Sequence, residues 1–463
     1  MDFLEKAHQK CWQILPISPT SYGDSPYQSF SVHAGNPYFI DLEALEKEGY
    51  LKPAEYKDIE WGDDKGSVDY GKIYEVIFKV LRTAHKRFRK KPEKAYSKFV
   101  VENKDWIYDY ALFMSLKFAN KGKAWYEWDE PLKMYKPKAI KSARKEYAND
   151  IDFWCFVQYK YFQQWKELKA YANEKGIEII GDIPIYVAYD SVEVWSTPQY
   201  FSLDKEKKPV EVAGCPPDAF TADGQLWGNP LYNWEYIARD KFRWWVERIK
   251  AASDTYDVVR IDHFRGFESY YCIPYGAKNA KKGKWRKGPD MRLFKEVRKQ
   301  LGDVKIIAED LGFLTKHVVK MLNASGYPGM KVLEFGFDSD NTNGYLPHNF
   351  KTTNSICYTG THDNETILGW IKSCDEKTRS YCKDYLGVTK DEFVPWAMVR
   401  LCWSSVCDTA IAQMQDILCL DDKARMNTPS TVGANWKWRL ESFDKLDDTL
   451  AERLAKITAV YGR

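Results

Sequence analysis

Short apolar runs rich in β-branched residues recur along the chain, and polar or charged residues follow each of them. Residues 257–267, DVVRIDHFRGF, are typical, because Arg260 interrupts the run VVRI and Asp262 and His263 end it. Val and Ile favour a strand buried on both faces, where a charge is costly unless it is paired or functional. The pattern predicts seven strands, within residues 11–18, 177–187, 257–264, 305–312, 331–338, 355–366 and 410–420.

Segments with apolar residues at helical spacing lie between these strands. Residues 153–176, 241–253 and 289–302 are predicted helices, and the first and third end at a glycine. Alternation of strands and helices predicts parallel strands joined by right-handed crossovers. A doubly wound sheet would fit, but no GxGxxG or GxxxxGK[ST] phosphate loop occurs. Polar residues after each strand favour a TIM (β/α)8 barrel, an α/β fold that carries its catalytic residues at the C-terminal ends of its strands.

We expect residues 1–463 to form a single catalytic barrel with helical and loop insertions. Residues 50–150 predict an inserted, mostly helical subdomain over the barrel mouth, and the Pro/Gly-rich residues 198–234 predict a long loop along the substrate groove. A TIM barrel has about eight strands, and the pattern supplies seven. The first strand is therefore expected to be missing from this chain, through truncation or a misplaced start codon, which would leave two open strand edges.

Composition and charge narrow the range of functions. The 69 basic and 66 acidic residues give a net charge of +3, without the basic surface that nucleic-acid binding requires. The polar start MDFLEKAHQK and the lack of a long apolar run predict no leader and no membrane span. Ten scattered cysteines without a CxxC pair indicate reduced core residues of a cytoplasmic protein. The aromatic fraction of 16% fits either a large aromatic core or carbohydrate binding.

Three carboxylates at different strand ends form the main catalytic candidate: Asp262, Glu309 and Asp363. Breaking a glycosidic bond with retention needs a carboxylate nucleophile and a protonated carboxyl acid. Arg260, two residues before Asp262, would keep that carboxylate ionised. Glu309 lies in an apolar run beside another acid, Asp310, and both effects would raise its pKa as a general acid requires.

The same carboxylates could instead stabilise the fold or bind a metal ion. Each one, taken alone, could pair with a cation or cap the following helix. A bound Mg²⁺ or Ca²⁺ would also use carboxylates, but no EF-hand or HExxH spacing occurs, so we predict no metal and no cofactor. The set as a whole, with Arg260, His263 and His362 beside it, favours catalysis.

Several motifs resemble those of amylomaltases, which are 4-α-glucanotransferases related to the α-amylase superfamily. The resemblance covers essentially the whole chain. It rests on WQILPISPTSYGDSPYQSFSVHAGNPYFIDL (12–42), GDIPIYV (181–187), GQLWGNPLYNW (224–234), VVRIDHFRGF (258–267), IIAEDLG (306–312), THDNET (361–366) and RMNTPSTVGANWKWRL (425–440). Ser430 departs from the glycine common in the family, with little expected effect.

The resemblance implies roles for the matched residues. It makes Asp262 the nucleophile, Glu309 the general acid/base and Asp363 the transition-state stabiliser. It implies transfer of α-1,4-glucan segments between maltooligosaccharides by a retaining double displacement. The residues expected to bind substrate are Tyr22, Ser25, Asp182, Phe220, Trp227, Arg260, His263, Asp338, His362 and Asn364.

Two alternatives stay open at the level of sequence. A hydrolase of the α-amylase type would use the same carboxylates, although the 12–42 segment favours a transferase. A non-catalytic glucan-binding protein would follow if loss of the first strand inactivated the chain. The sequence does not determine donor length, cyclisation, pathway or oligomeric state.

Overall fold

The computed structural model describes residues 1–21, 23–217, 222–312 and 314–463, and it is a mixed α/β structure. Its strands are β1 (Cys11–Gln13), β2 (Glu178–Ile183), β3 (Glu211–Cys215), β4 (Gln225–Pro230), β5 (Val258–Ile261), β6 (Ser269–Pro274), β7 (Lys284–Lys287), β8 (Ile306–Ala308), β9 (Gly329–Val332), β10 (Ser355–Tyr358) and β11 (Thr409–Ile411).

The described residues contain eighteen α-helices. They are α1 (Asp2–Lys6), α2 (Leu42–Lys47), α3 (Tyr70–Phe88), α4 (Lys94–Glu102), α5 (Ile107–Ala119), α6 (Glu130–Lys133), α7 (Pro137–Glu146), α8 (Ala148–Glu174), α9 (Val192–Ser196), α10 (Trp234–Arg239), α11 (Arg243–Thr255), α12 (Met291–Leu301), α13 (Lys316–Ser325), α14 (Ile367–Ser373), α15 (Glu376–Leu386), α16 (Val394–Ser404), α17 (Met414–Ile417) and α18 (Asp448–Val460).

Two parallel sheets carry the strand ends that were predicted to be polar. One sheet has the order β1-β2-β5-β8 and the other has the order β11-β10-β9. The sheets adjoin, because the N–H of Ala308 in β8 donates to the carbonyl of Pro328 just before β9 at 3.0 Å. One buried apolar cluster takes side chains from both sheets, including Ile180, Ile307 and Ile356. The C-terminal ends of these strands therefore face the same region.

The predicted helices are confirmed as α8, α11 and α12, and each predicted strand segment overlaps a short parallel strand. The strands are shorter than the segments predicted for them. Residues 410–420 were predicted as a single strand, which is wrong beyond Ile411, because Met414–Ile417 form a helix. Met, Gln and Ile are compatible with both conformations, so the apolar run alone could not find this boundary.

A third, antiparallel sheet has the order β4-β3-β6-β7. It corrects the prediction of a simple loop over residues 198–234, because β3 and β4 lie inside that segment. Glycines and prolines around these strands are typical of loops. The strands form because β3 pairs with β6, more than fifty residues later in the chain, with Val212 opposite Ile273.

Helices α3 to α7 occupy most of residues 50–150, and aromatic side chains of α3 and α5 pack against α8. Phe88 contacts Phe156 with ring centroids 4.8 Å apart, and Trp154, also in α8, contacts both Phe78 and Phe118. Part of the high aromatic content is therefore core. Within the described ranges, no helix is long and apolar enough to cross a membrane, and no cluster of three potential metal-ligating side chains occurs.

Candidate active site

A cleft of about 380 Å³ opens at the C-terminal ends of the parallel strands. It is lined by Ser25, Tyr27, Trp227, Asp262, His263, His362, Asp363, Asn427 and Trp436, among others. The local sequence explains this placement. The apolar part of each run forms the strand, and the first polar residues after it emerge at the strand end, where parallel strands meet.

Asp262 is held beside a buried charge network. Arg260 in β5 lies opposite Asp182 of β2 in the sheet register, and its guanidinium donates to Asp182 Oδ2. Its other terminal nitrogen donates to Asp262 Oδ1 at 3.1 Å. The hydroxyl of Tyr27 also donates to Asp182 Oδ2, at 2.8 Å. Asp182 and Arg260 are almost fully buried, whereas the Asp262 side chain is 32% exposed and opens on the cleft.

Glu309 follows β8, and within the described part of the chain backbone N–H groups hold its carboxylate. The N–H of His263 donates to Glu309 Oε2 at 2.7 Å, and the N–H of Leu311 donates to Oε1 at 2.7 Å. His263 has a left-handed backbone, with φ at 52°. The two candidate catalytic loops are thus bonded to each other.

Burial separates the proton affinities of the two carboxyls. Burial is the main cause that raises the pKa of Glu309, and the charge of Asp262 adds to it. Burial also raises the pKa of Asp262, and Arg260 opposes this rise without cancelling it. The pKa of Glu309 lies above that of Asp262, so one proton between them resides on Glu309. The arrangement can supply a carboxylate and a protonated carboxyl at once.

Asp363 lies on the loop after β10, across the cleft. Its Oδ1 accepts from Asn427 Nδ2 at 2.6 Å, and its carbonyl accepts from Arg425 at 2.9 Å. The neighbouring His362 stacks on Tyr27, with ring centroids 5.1 Å apart. This loop is therefore tied to both the 23–28 segment and the 425–436 segment.

The structure places the other predicted substrate residues in three groups. Ser25, Trp227, His263 and His362 line the cleft, and Trp227 packs edge-on against His263 at 4.9 Å. Asp338 is exposed and accepts from Asn343 at 3.0 Å, and Asn364 is buried beneath the loop. Tyr22 and Phe220 lie outside the described residues.

Sequence reasoning missed several residues of the cleft, among them Tyr27, Asn427 and Trp436. All three lie in motifs that carried the resemblance, 12–42 and 425–440. An aromatic or amide side chain has no charge that marks it within a loop. Only the fold, which brings these segments to Asp182 and Asp363, singles them out.

Parallel α/β architecture with paired carboxyls of different proton affinity at the strand ends is typical of a class of protein, the glycoside-processing enzymes. Comparison with known proteins narrows the class. A family profile described as 4-alpha-glucanotransferase matches residues 1–445. A 4-alpha-glucanotransferase of Clostridium butyricum is 48% identical over 100% of this chain and 95% of its own length. One of Streptococcus pneumoniae is 46% identical over 100% of this chain and 92% of its own length.

Solved structures agree with these sequences. The amylomaltase from Streptococcus agalactiae, solved in complex with acarbose, superposes with a TM-score of 0.97 at 42% identity and covers 100% of this chain and 94% of that one. The Corynebacterium glutamicum amylomaltase, at 16% identity and a TM-score of 0.75, shares the fold over 99% of this chain and 72% of its own. The chain belongs to the 4-α-glucanotransferase family.

Proposed function

We propose that this enzyme transfers α-1,4-glucan segments between maltooligosaccharides by retaining double displacement. Asp262 is the nucleophile, Glu309 the general acid/base and Asp363 the transition-state stabiliser. The observation that carries these roles is the contrast between the two carboxyls. Asp262 opens on the cleft beside Arg260, whereas Glu309 is buried and its pKa is raised more than that of Asp262. Family membership supports the reaction, and the geometry supports the assignment of roles.

The chemistry takes two steps. An Asp262 oxygen attacks the anomeric carbon while the bond to the glycosidic oxygen breaks, and Glu309 gives its proton to that leaving oxygen. The donor segment is then bonded covalently to Asp262. Glu309, now ionised, takes the proton of the 4-hydroxyl of an incoming glucan, whose oxygen attacks the anomeric carbon and releases Asp262. Retention requires about 5–5.5 Å between the two carboxyl groups.

Transfer instead of hydrolysis requires an acceptor site that favours a sugar over water. Aromatic side chains of the cleft, Tyr27, Tyr186, Trp227 and Trp436, support such a site, because sugar rings stack on aromatic faces. Ser25, His263 and His362 complete the proposed substrate contacts in the cleft. Asp182 and Arg260 act beneath it by holding Asp262. The family resemblance also predicts substrate contacts for Tyr22, Phe220, Asp338 and Asn364. Asp338 and Asn364 do not line this cleft, and Asn364 is buried.

The parallel strands support a TIM barrel, with residues 50–150 as its helical insertion and 198–234 as a wall of the substrate groove. A barrel interrupted between β11 and β1 would have seven parallel strands around one apolar cluster. The two adjoining sheets supply seven parallel strands, and one apolar cluster takes side chains from both. The first barrel strand would fill that position.

A cytoplasmic location is proposed on the buried thiols of Cys155, Cys357 and Cys402, which are stable in a reducing compartment. No nucleic-acid or membrane partner and no cofactor enters the proposed reaction.

The direct test is incubation of the purified protein with maltotriose. Glucose together with a ladder of longer chains supports transfer. Glucose and maltose without longer chains would indicate a hydrolase, and no product would indicate a binding-only protein.

The variant Glu309→Gln tests the acid/base assignment. It keeps the size of the side chain and removes the proton donor, so turnover is expected to fall roughly 100- to 10,000-fold. Asp310→Asn is the matched control, because Asp310 is also buried and accepts from the backbone N–H of Met330 through Oδ1 at 2.6 Å. Unchanged turnover in Glu309→Gln would overturn the assignment.

A further inference from the structure

A buried acid that the proposed chemistry does not use lies beneath the Asp363 loop. Glu334 follows β9 and is only 9% exposed. Its Oε1 accepts from Nδ2 of Asn364 at 2.8 Å. Its Oε2 is buried and has no hydrogen-bond partner among the described residues. Because unpaired buried polar atoms are rare, a carboxyl held in this way points to a role beyond packing.

The partner of Glu334 organises the turn that carries Asp363. Oδ1 of Asn364 accepts from the N–H of Thr361 at 2.9 Å and from its hydroxyl at 2.8 Å, and the N–H of Asn364 donates to the carbonyl of Thr361 at 3.1 Å. His362 and Asp363 lie inside this closed turn and line the cleft. The orientation of one amide therefore fixes the two residues presented to substrate.

Glu334 fixes that orientation. An amide has one acceptor oxygen and one donor nitrogen, and Thr361 occupies the oxygen. The nitrogen must then face a group that accepts, which Glu334 Oε1 supplies. A flipped amide would direct N–H donors at the N–H of Thr361.

The surroundings keep this acid neutral at moderate pH. Burial is the main cause that raises the pKa of Glu334, to about 8, while the bond from Asn364 lowers it. The charges of Glu365 and Asp416 raise it further, and Arg425 opposes them. Gln413 lies in the segment after β11. Its side chain and Glu334 Oε2 both lie close to Gly360.

We propose that Glu334 is a positioning residue for the reaction, which fixes the Asn364 amide and through it the turn that presents His362 and Asp363. The proposal rests on the proposed role of Asp363. Glu334 itself touches no substrate, since it does not line the cleft.

An exchange of donor and acceptor tests this role. Asn364→Asp keeps an oxygen for Thr361 but places a second carboxyl against Glu334. We expect kcat to fall about 10- to 100-fold, as a small displacement of a catalytic group does, with a smaller change in KM. The swap Glu334→Gln with Asn364→Asp restores the bond with the donor on residue 334. The kcat of this double variant is expected to be at least tenfold higher than that of Asn364→Asp alone.

The swap distinguishes positioning from direct binding. If Asn364 itself contacted substrate, Glu334→Gln would not rescue Asn364→Asp, and this result would overturn the proposal. Asp190→Asn is the control for general destabilisation, because Asp190 is an acid with restricted solvent access in another region, bonded to Lys117. Its melting temperature is expected to fall without loss of kcat.

Asp363→Asn separates the two proposals. If it retains full kcat, the role proposed for Asp363 fails, whatever the swap does. If it loses kcat while Asn364→Asp does not, only the positioning role of Glu334 fails. If Asn364→Asp does not fold, the double variant alone decides. A folded double variant with near wild-type kcat supports the positioning role of Glu334, and a folded double variant without activity contradicts it.

Discussion

At the scale of single residues, environment assigns different tasks to two carboxyls of similar intrinsic acidity. Asp262 has a guanidinium beside it and access to solvent, whereas Glu309 has two backbone N–H groups and almost no solvent. Burial favours the neutral form, and the charge of one acid favours the proton on the other. The proton therefore belongs to Glu309, the proposed general acid.

The pH dependence of kcat/KM should report this division. Activity requires Asp262 ionised and Glu309 protonated, so it is expected to fall at low pH as Asp262 gains a proton and at high pH as Glu309 loses one. Both limbs should lie above the usual carboxyl range, because both pKa values are raised. His263 should add no limb near neutrality, since burial lowers its pKa to about 3. A high-pH limb within the usual carboxyl range would contradict the assignment of Glu309.

At the scale of elements, α8 stabilises the helical insertion through a buried cation. Lys160 is fully buried, and its Nζ lies 2.6 Å from Glu93 and 2.9 Å from Glu48. Lys160→Met removes the cation and leaves both carboxylates, so we expect a loss of about 3 kcal/mol in the free energy of unfolding. Urea denaturation would measure it. Lys166→Met, at an exposed position of the same helix, is the control and should change stability little.

Elements with a strong local period could be predicted from the sequence, and long-range pairings could not. Helix α8 and the strand before Asp262 follow from the spacing of apolar residues. The pairing of β3 with β6 depends on residues far apart in the chain, which leaves no local pattern. Asp262, Glu309 and Asp363 were predictable because each is a charged residue directly after a local apolar run. Tyr27 and Asn427 were not predictable, because their place in the site depends on partners from distant segments.

At the scale of the whole molecule, the proposed barrel has two outer strands. At the two ends of β1, Lys10 and Ile14 bond to β2, so the backbone groups of Cys11 and Gln13 point to the other side. In β11, Ile411 bonds toward β10, so Ala410 points away from it. These outward groups are where a further parallel strand would bond.

A strand-forming extension tests this arrangement. A β-branched segment joined before Met1 through a short linker is expected to raise the melting temperature, because it would pair the outward groups of β1 and β11. A Gly/Ser segment of equal length is the control and should leave the melting temperature unchanged. Equal melting temperatures for the two extensions would contradict the proposed position of the first strand.

The antiparallel sheet joins the wall of the cleft to the proposed nucleophile. Trp227 lies in β4, β4 pairs with β3, and β3 pairs with β6, which begins seven residues after Asp262. Hydrogen-bonded strands thus connect this wall to the segment that follows Asp262. Substitutions that widen or narrow the wall are therefore expected to change turnover together with acceptor preference.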